Sequence, residues 1–479
     1  MKQLIFFSLI AMTLRVHAAE EPKRNVLFLI SDDLNCDLGC YGDPVVKSPN
    51  IDQLAARGVK FERAYCQFPL CSPSRSSFLT GRRPNATGVL SNPSGKTPIS
   101  PHFREKIPET VTLPQLFKNH GWFSARVGKL YHYGVPNDIG TSSLDDFQSW
   151  DVAINPRGLD REIHDKIFSL TPKQFGGTVS WLAAEGEDVE HTDGIGASEA
   201  IRLLERFKKE ARPFFLAVGF YRPHTPYVSP KKYFDLYAAD SVALPTLSAD
   251  DKARTPPLAY ASARKDQDVM TDEQRHEAIR AYHASITFMD AQVGRVLAAL
   301  DRLGLTGNTV VVFTSDHGYH LGDHGLWQKM SLFERSTRVP LIIAAPGAKA
   351  NGQSVRGIVE LLDLYPTLAA LSGLKAPAYI EGTSLAPILD GTTQSVKTAA
   401  ITQVRRGPNK DGYAVRTDRW RYIEWNAGAQ GTQLFDEEND PQETKNLASE
   451  PAQSETVAEL KKLLPKPPAP SSGGVNVAR

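Results

Sequence analysis

Two stretches of the chain are apolar without a break, and each empties directly into acid. Asn25-Val-Leu-Phe-Leu-Ile-Ser31 runs into Asp32-Asp33, and Thr309-Val-Val-Val-Phe-Thr-Ser315 runs into Asp316-His317-Gly318. A continuous apolar run with β-branched members predicts a strand buried on both faces, so the acids stand at strand carboxyl ends. Further strands are predicted at Pro213 to Phe220, which leads into Tyr221-Arg-Pro-His-Thr-Pro-Tyr227, and at Val339 to Ala345. Elsewhere the apolar period lengthens to that of a helix: Ile51 to Ala56, stopped by Gly58; Leu113 to His120, opened by Pro114 and stopped by Gly121; and Leu361 to Leu371. From Thr271 to Leu303, with Gly304 beyond, the spacing predicts one long helix or two abutting ones. Strands alternating with helices over residues 25–375 predict an α/β fold, a large mostly parallel sheet covered by helices on both faces. Ligands of such sheets bind beyond the strands' carboxyl ends.

After Gly382 the pattern changes. Gly412 to Trp425 reads as a hairpin turning near Thr417-Asp418, and a last helix is predicted at Val457 to Leu464. Residues 381–465 are therefore expected to form a smaller C-terminal α+β subdomain containing an antiparallel sheet, after a main domain over 20–380. Residues 466–479, rich in proline, serine and glycine, are too poor in apolar side chains to pack and are expected to be a disordered tail. At the other end, Met1-Lys2, the apolar run Leu4 to Leu14 and the small residues Ala18-Ala19 predict a signal peptide over 1–19 and a periplasmic or secreted product. About ten apolar residues cannot span a bilayer, so no membrane span is expected once the leader is removed.

At 479 residues the chain exceeds the usual single core, in keeping with two domains. Lys+Arg 55 against Asp+Glu 54 leaves a formal net charge of +1, so no global field draws in nucleic acid and anion recognition must be local. The four cysteines, Cys36, Cys40, Cys66 and Cys71, all fall in the first 71 residues, too few and too clustered for a disulfide scaffold. With Cys71 set aside for chemistry, Cys36 could pair with Cys40, or either with Cys66.

Adjacent carboxylates beside a third at a distant strand's end are costly to hold together unless a cation neutralises them. Asp32, Asp33 and Asp316 are candidate metal ligands, with His317 beside them. The plain alternative, that Asp32-Asp33 caps a turn, loses ground because the strand-then-acid pattern occurs twice. Oxygen ligands favour Ca²⁺, or Mg²⁺, and a single imidazole neither proves nor excludes a transition metal. Pro73 can open a helix, which puts Cys71 at a helix N-terminus, where free N–H groups favour an oxyanion and lower a thiol's pKa.

Cys71-Ser-Pro-Ser-Arg75 followed by Leu79-Thr-Gly-Arg82 resembles the complete signature of the type I sulfatases, members of the alkaline-phosphatase-like superfamily. The resemblance implies that Cys71 is oxidised to formylglycine (3-oxoalanine) by a formylglycine-generating enzyme or an anaerobic sulfatase-maturating enzyme. It also implies that residues 20–380 are a catalytic sulfatase domain. Asp32, Asp33, Asp316 and His317 match the family's metal ligands, with position 71 completing the set. A histidine at 317 points to the branch of iduronate-2-sulfatases. Three further blocks resemble that branch: Val127 to His132, with Lys129 and His132 contacting diol and sulfate; Arg222 to Pro226, with a substrate-facing His224; and Leu321 to Lys329, whose Lys329 grips the sulfate.

The implied chemistry is hydrolysis of a sulfate ester on a sulfated oligo- or polysaccharide, with a 2-O-sulfated uronic acid as the branch's substrate. Arg75, Lys129, Lys329 and the metal are expected to neutralise the sulfate. A carboxylate such as Asp316 would activate the aldehyde hydrate, His224 would protonate the leaving oxygen, and His132 would assist release of sulfate. His224 is expected to act near its ordinary pKa, and Arg222 or Lys329 to be available for a substrate carboxylate. The rival readings are an exo-sulfatase acting on another sulfated (marine) polysaccharide, a cysteine-thiolate hydrolase, a phosphoesterase of the same superfamily and a non-catalytic glycan-binding protein.

Overall fold

The computed structural model describes residues 23–465 apart from 94–101, 143, 239–241, 247–248 and 409; the expected signal peptide and tail lie outside the described residues. Eight strands form the main sheet: β1 Asn25–Asp32, β2 Val59–Tyr65, β3 Phe123–Gly128, β4 Val152–Ile154, β5 Phe214–Pro223, β6 Thr309–Ser315, β7 Arg338–Ala344 and β8 Ser354–Glu360. Their order is β8-β2-β7-β6-β1-β5-β3-β4. All neighbours pair in parallel except β7, which runs antiparallel to both β6 and β2.

The unbroken apolar runs are explained by the two cores they separate. On β1, Leu27 and Leu29 face one core while Val26, Phe28 and Ile30 face the other. On β6, Val311 and Phe313 share the first core and Val310 and Val312 the second. Because successive side chains of a strand point to opposite faces, a strand covered on both sides has no position for a polar residue. Helices α1 (Pro49–Arg57), α4 (Thr192–Glu210) and α5 (Asp272–Arg302) close the first core. Helices α2 (Cys71–Thr80), α3 (Leu113–Asn119) and α6 (Leu364–Leu371) close the second. The stretch from 271 to 303 is one helix. It opens on a capping box in which Thr271 Oγ1 accepts from Gln274 N at 3.2 Å and Gln274 Oε1 from Thr271 N at 3.0 Å.

The C-terminal part carries a four-stranded antiparallel sheet, β9 Ala400–Arg405, β10 Asp411–Arg416, β11 Trp420–Trp425 and β12 Thr432–Asp436, followed by α7 (Ser454–Leu463). The expected hairpin is β10–β11, with Arg416 opposite Arg421. One face of this sheet, through Val404, Ile423, Trp425 and Phe435, packs on Phe68, Leu70, Leu326, Leu332 and Phe333, and the other packs on α7 through Leu460. The small sheet therefore buttresses the segment before Cys71 and the segments on either side of Lys329. Among the described residues no helix is long and apolar enough to cross a membrane.

Candidate active site

The two acid-bearing loops meet because their strands are neighbours. β1 and β6 pair with Ser31 opposite Ser315, so Asp32 and Asp33 leave the sheet beside Asp316 and His317. Asp33 takes φ +64°, a left-handed conformation that a side chain makes costly and that the surroundings must hold. Tyr282 of α5 does so: its hydroxyl donates to Asp33 O at 2.8 Å and accepts from Asn35 N at 3.0 Å. Asp33 N also donates to Asp316 Oδ1 at 3.1 Å, and Leu34 N to Ser315 Oγ at 2.9 Å.

Cys71 is the first residue of α2, with Leu70 extended before it. Of the N–H groups at this helix start, Ser72 N donates to Asn92 Oδ1 at 2.9 Å and Pro73 has none to give. Arg75, one turn into α2 and fully enclosed, places Nε 2.9 Å from Asp316 Oδ2, Nη2 3.0 Å from Asp32 Oδ1 and Nη1 2.6 Å from Lys129 O. Ser74 adds a bond of 2.5 Å to Asp316 O.

Lys129 follows β3 and pairs with Asp32 Oδ2. Its approach depends on Gly128, at φ +74°, where a β-carbon would stand 2.1 Å from Gly219 O. Lys329 enters from a loop whose residues on either side, Gln328 and Met330, have φ of +75° and +71°. Met330 is anchored by its N–H to Pro69 O at 3.1 Å and by Arg406 on its carbonyl. Lys329 Nζ reaches Asp33 Oδ1 and Oδ2 at 2.6 and 2.7 Å and Cys71 Sγ at 3.2 Å.

The remaining imidazoles are aimed by their Nδ1 atoms. His317 Nδ1 lies 2.9 Å from Gly318 O, which leaves Nε2 3.5 Å from Cys71 Sγ and 3.2 Å from Asp33 Oδ1. His224 Nδ1 lies 2.5 Å from Thr225 O, which leaves Nε2 3.7 Å from Asp33 Oδ2. His132 has no hydrogen-bond partner at Nδ1, and Lys129 and Lys329 act on it only through their fields. Nine of the ten expected residues thus converge in one bonded cluster, with His132 beside it.

Two expectations are corrected. Arg222 is not available to a substrate carboxylate: it is buried, pairs with Asp160 at 2.7 Å and donates to His224 O at 2.9 Å and Pro226 O at 2.5 Å. His224 does not sit near its ordinary pKa, because burial and then the charges of Lys329 and Lys129 hold it well below. His320 and His324 pack away from Cys71, the first 2.6 Å from Ser331 Oγ and the second stacked on Phe333. Asp160, Asp193 and Tyr282, which position the loops, went unrecognised. No local pattern marks them, because each acts through the backbone of a distant segment.

Burial lifts Asp33 to about 7 against the pull of Lys329, whereas on Asp32 Lys129, His224 and Arg75 outweigh burial and hold the carboxyl well below its usual range. His317 is pulled down by burial but lifted further by Asp316 and Asp33, to about 9, and His132 is pushed down to about 3 by burial and Lys129. Asp33, Cys71, Asp316 and His317 present ligand atoms within 4.8 Å of one another, and Asp32, Asp33, Cys71 and His224 form a second such group. Each group offers two carboxylates, one imidazole and the side chain of Cys71, and carboxylate oxygens suit a hard divalent cation. Lys329, on both oxygens of Asp33, shows where positive charge is required.

Acids gathered at the ends of two neighbouring parallel strands and set against the start of a helix make a candidate hydrolytic site. Similarities narrow the class. The Sulfatase family profile matches residues 24–374, and that of the N-sulphoglucosamine sulphohydrolase C-terminal region matches 322–468. A sulfatase of Formosa agariphila is 35% identical over 461 residues, 93% of this chain and 87% of the relative. Human iduronate 2-sulfatase is 36% identical over 403 residues, 74% and 70% of the two chains. A solved structure described as a 2-O GAG sulfatase superposes with a TM-score of 0.71 at 26% identity, covering 92% of this chain and 91% of that one. The phosphonate monoester hydrolase of Agrobacterium radiobacter shares the fold, with a TM-score of 0.77 at 24% identity over 92% and 94% of the chains. The chain belongs to the sulfatase family and is a sulfuric ester hydrolase.

Proposed function

We propose that this sulfatase removes a sulfate ester from a sulfated glycan, with a 2-O-sulfated uronic acid as substrate, using a formylglycine made from Cys71 and a divalent cation held by Asp32, Asp33, Asp316 and His317. The observation that carries the reading is the position of Cys71 Sγ, 3.2 Å from Lys329 Nζ and 3.5 Å from His317 Nε2, inside a cluster of three aspartates. The names of the relatives, iduronate 2-sulfatase and a 2-O GAG sulfatase, support the substrate class. Once present, the cation would supply electrophilic polarisation of sulfate oxygens, and the aldehyde hydrate a nucleophilic hydroxyl.

The chain's own groups do the rest. Arg75 fixes Asp32 and Asp316 in register through its planar fork. Lys129 and Lys329 bring positive charge to the sulfate and lower its repulsion toward an incoming oxygen. His224, with Nδ1–H given to Thr225 O, presents Nε2 to the leaving oxygen. Held low by burial first and then by the two lysines, it would gain its proton as the anionic sulfate offsets the lysines' charge, so that acid and substrate arrive together. His132, whose pKa burial and Lys129 push down to about 3, would take a proton in the later release of sulfate. Residues 1–19 direct export to the periplasm or beyond.

Mass spectrometry of the peptide bearing Cys71 tests the nucleophile, since the aldehyde lowers its mass; an unmodified thiol in fully active enzyme would refute it. Chelation should abolish turnover, with Ca²⁺ or Mg²⁺ restoring it. Assays on sulfate and phosphate esters of one alcohol, then on defined sulfated disaccharides, test the bond and the sugar.

A further inference from the structure

Lys329 reaches Asp33 and Cys71 from a backbone held in an uncommon shape. Gln328 before it and Met330 after it have φ of +75° and +71°, which non-glycine residues adopt only where the surroundings impose it. On the near side a short ladder imposes it, for Gln328 pairs with His320 in a two-stranded antiparallel hairpin. On the far side both ends of Met330 are gripped: its N–H donates to Pro69 O at 3.1 Å, two residues before Cys71, and its carbonyl accepts from Arg406. We propose that Arg406 is a positioning residue for Lys329, one that holds the Met330 carbonyl and thereby sets where the Lys329 ammonium points. The inference rests on the reading of Lys329 as a cation that meets the sulfate.

Arg406 differs from the fully enclosed arginines of this protein. Arg75, Arg126, Arg222 and Arg421 each face at least one carboxylate. Arg406, mostly buried, follows β9 at the tip of the β9–β10 hairpin, where its N–H donates to Lys410 O at 3.0 Å. The neighbouring acid, Asp411, is taken by Arg405 at 2.7 and 3.0 Å. Among the described residues Arg406 makes no ion pair, and the carbonyl of Met330 is the acceptor its side chain has. Its guanidinium lies 5.9 Å from the ring of Trp425, its Nε is enclosed without a partner, and burial alone pulls its pKa down to about 10.

A cation taken out of water without a counterion works against folding, and an apolar side chain of similar length would fill this space more favourably. What an apolar side chain cannot do is donate to Met330 O. Departures of this kind from the rules of a stable core are expected where function requires them. A hydrogen bond from a charged donor is roughly twice as strong as a neutral one, which suits a clamp on a backbone in a left-handed conformation. The benefit falls on Lys329, since displacing a group that meets the reacting atoms by about 1 Å can cost about 10²-fold in rate.

The test is a double-mutant cycle on the mature enzyme with 4-nitrocatechol sulfate, using R406M, K329M and the two together. R406M alone is expected to lower kcat/KM at least tenfold. In the K329M background the same change should cost less than threefold, because the group that Arg406 positions is gone. A loss below tenfold in the first case, or of threefold or more in the second, overturns the proposal; equal losses in both would mark Arg406 as a support of the fold at large. Amide hydrogen exchange over residues 328–333 reads the loop without turnover. R406M should quicken it at least tenfold, and a smaller change overturns the proposal as well. If R406M does not fold, R406Q, whose amide falls two atoms short of Met330 O, takes its place under the same criteria. A wild type inert toward the aryl sulfate would count against the proposed function, and the exchange measurement would still decide whether Arg406 holds the loop.

Discussion

Arg222 Nη2 and Asp160 Oδ2 stand 2.7 Å apart, and both side chains are enclosed. Asp160 Oδ1 in turn accepts from Thr192 N at 2.9 Å and Thr192 Oγ1 at 2.6 Å, so the start of α4 is tied to the loop that carries His224. Removing the carboxylate leaves a buried guanidinium without its counterion. Asp160→Ala is expected to cost about 3–5 kcal/mol in urea unfolding, with Asp160→Asn less severe. A loss below about 1 kcal/mol would show that the pair is solvated.

Lys329 is the cation with the most direct reach. Its removal should lower kcat/KM on an activated aryl sulfate by about 10²–10³, in line with the loss of one preorganised group facing developing charge. Lys329→Arg should not restore the rate, because the larger planar guanidinium does not fit the enclosed position that the compact ammonium takes between Asp33 and Cys71. Steady-state kinetics with a far-UV spectrum of each variant would check this; a change under threefold removes Lys329 from the machinery.

A second buried network joins the C-terminal sheet to the body. Arg421 pairs with Glu334, with Glu437 Oε1 at 2.9 Å and with Glu443 Oε1 at 2.8 Å. Arg421→Met would leave three enclosed carboxylates short of a counterion, and a loss of about 3–5 kcal/mol is expected on chemical unfolding, at unchanged aryl-sulfate KM in the protein that remains folded. An unaltered unfolding midpoint would contradict this.

Asp193 supplies a pH dependence away from the acid cluster. Its carboxylate accepts from Tyr221 N at 2.8 Å and Arg222 N at 2.9 Å, yet burial outweighs both bonds and Arg222, lifting its pKa to about 7. The native state therefore keeps a proton that the unfolded chain has released. Its contribution to stability is complete below the ordinary carboxylate range and is lost as pH rises through about 7, at up to about 1.4 kcal/mol per unit. Asp193→Asn should flatten the fall in Tm over that window; an identical pH profile would exclude Asp193 as its source.

Much of this molecule is written locally. The runs 25–31 and 309–315 read as buried strands because both faces of each are covered, and the acids after them could be placed at strand ends from order alone. The signature from Cys71 to Arg82 was legible for the same reason: its residues lie in one short helix and the turn that ends it. Strands β2, β3 and β8 escaped the pattern because charged or small residues interrupt them, and the reversal of β7 leaves no mark in its own residues.

Amino-acid order alone therefore determined the α/β alternation, the acid pairs, the helix opening at Cys71 and the set of charged residues around it. Only the tertiary structure decided that β1 and β6 are neighbours, that Arg222 turns inward to Asp160, and that burial pulls His224 below its ordinary pKa. The division has one physical cause. Periodicity and capping are set by residues a few positions apart, whereas the charge state and orientation of a buried side chain depend on which distant segments remove water from it.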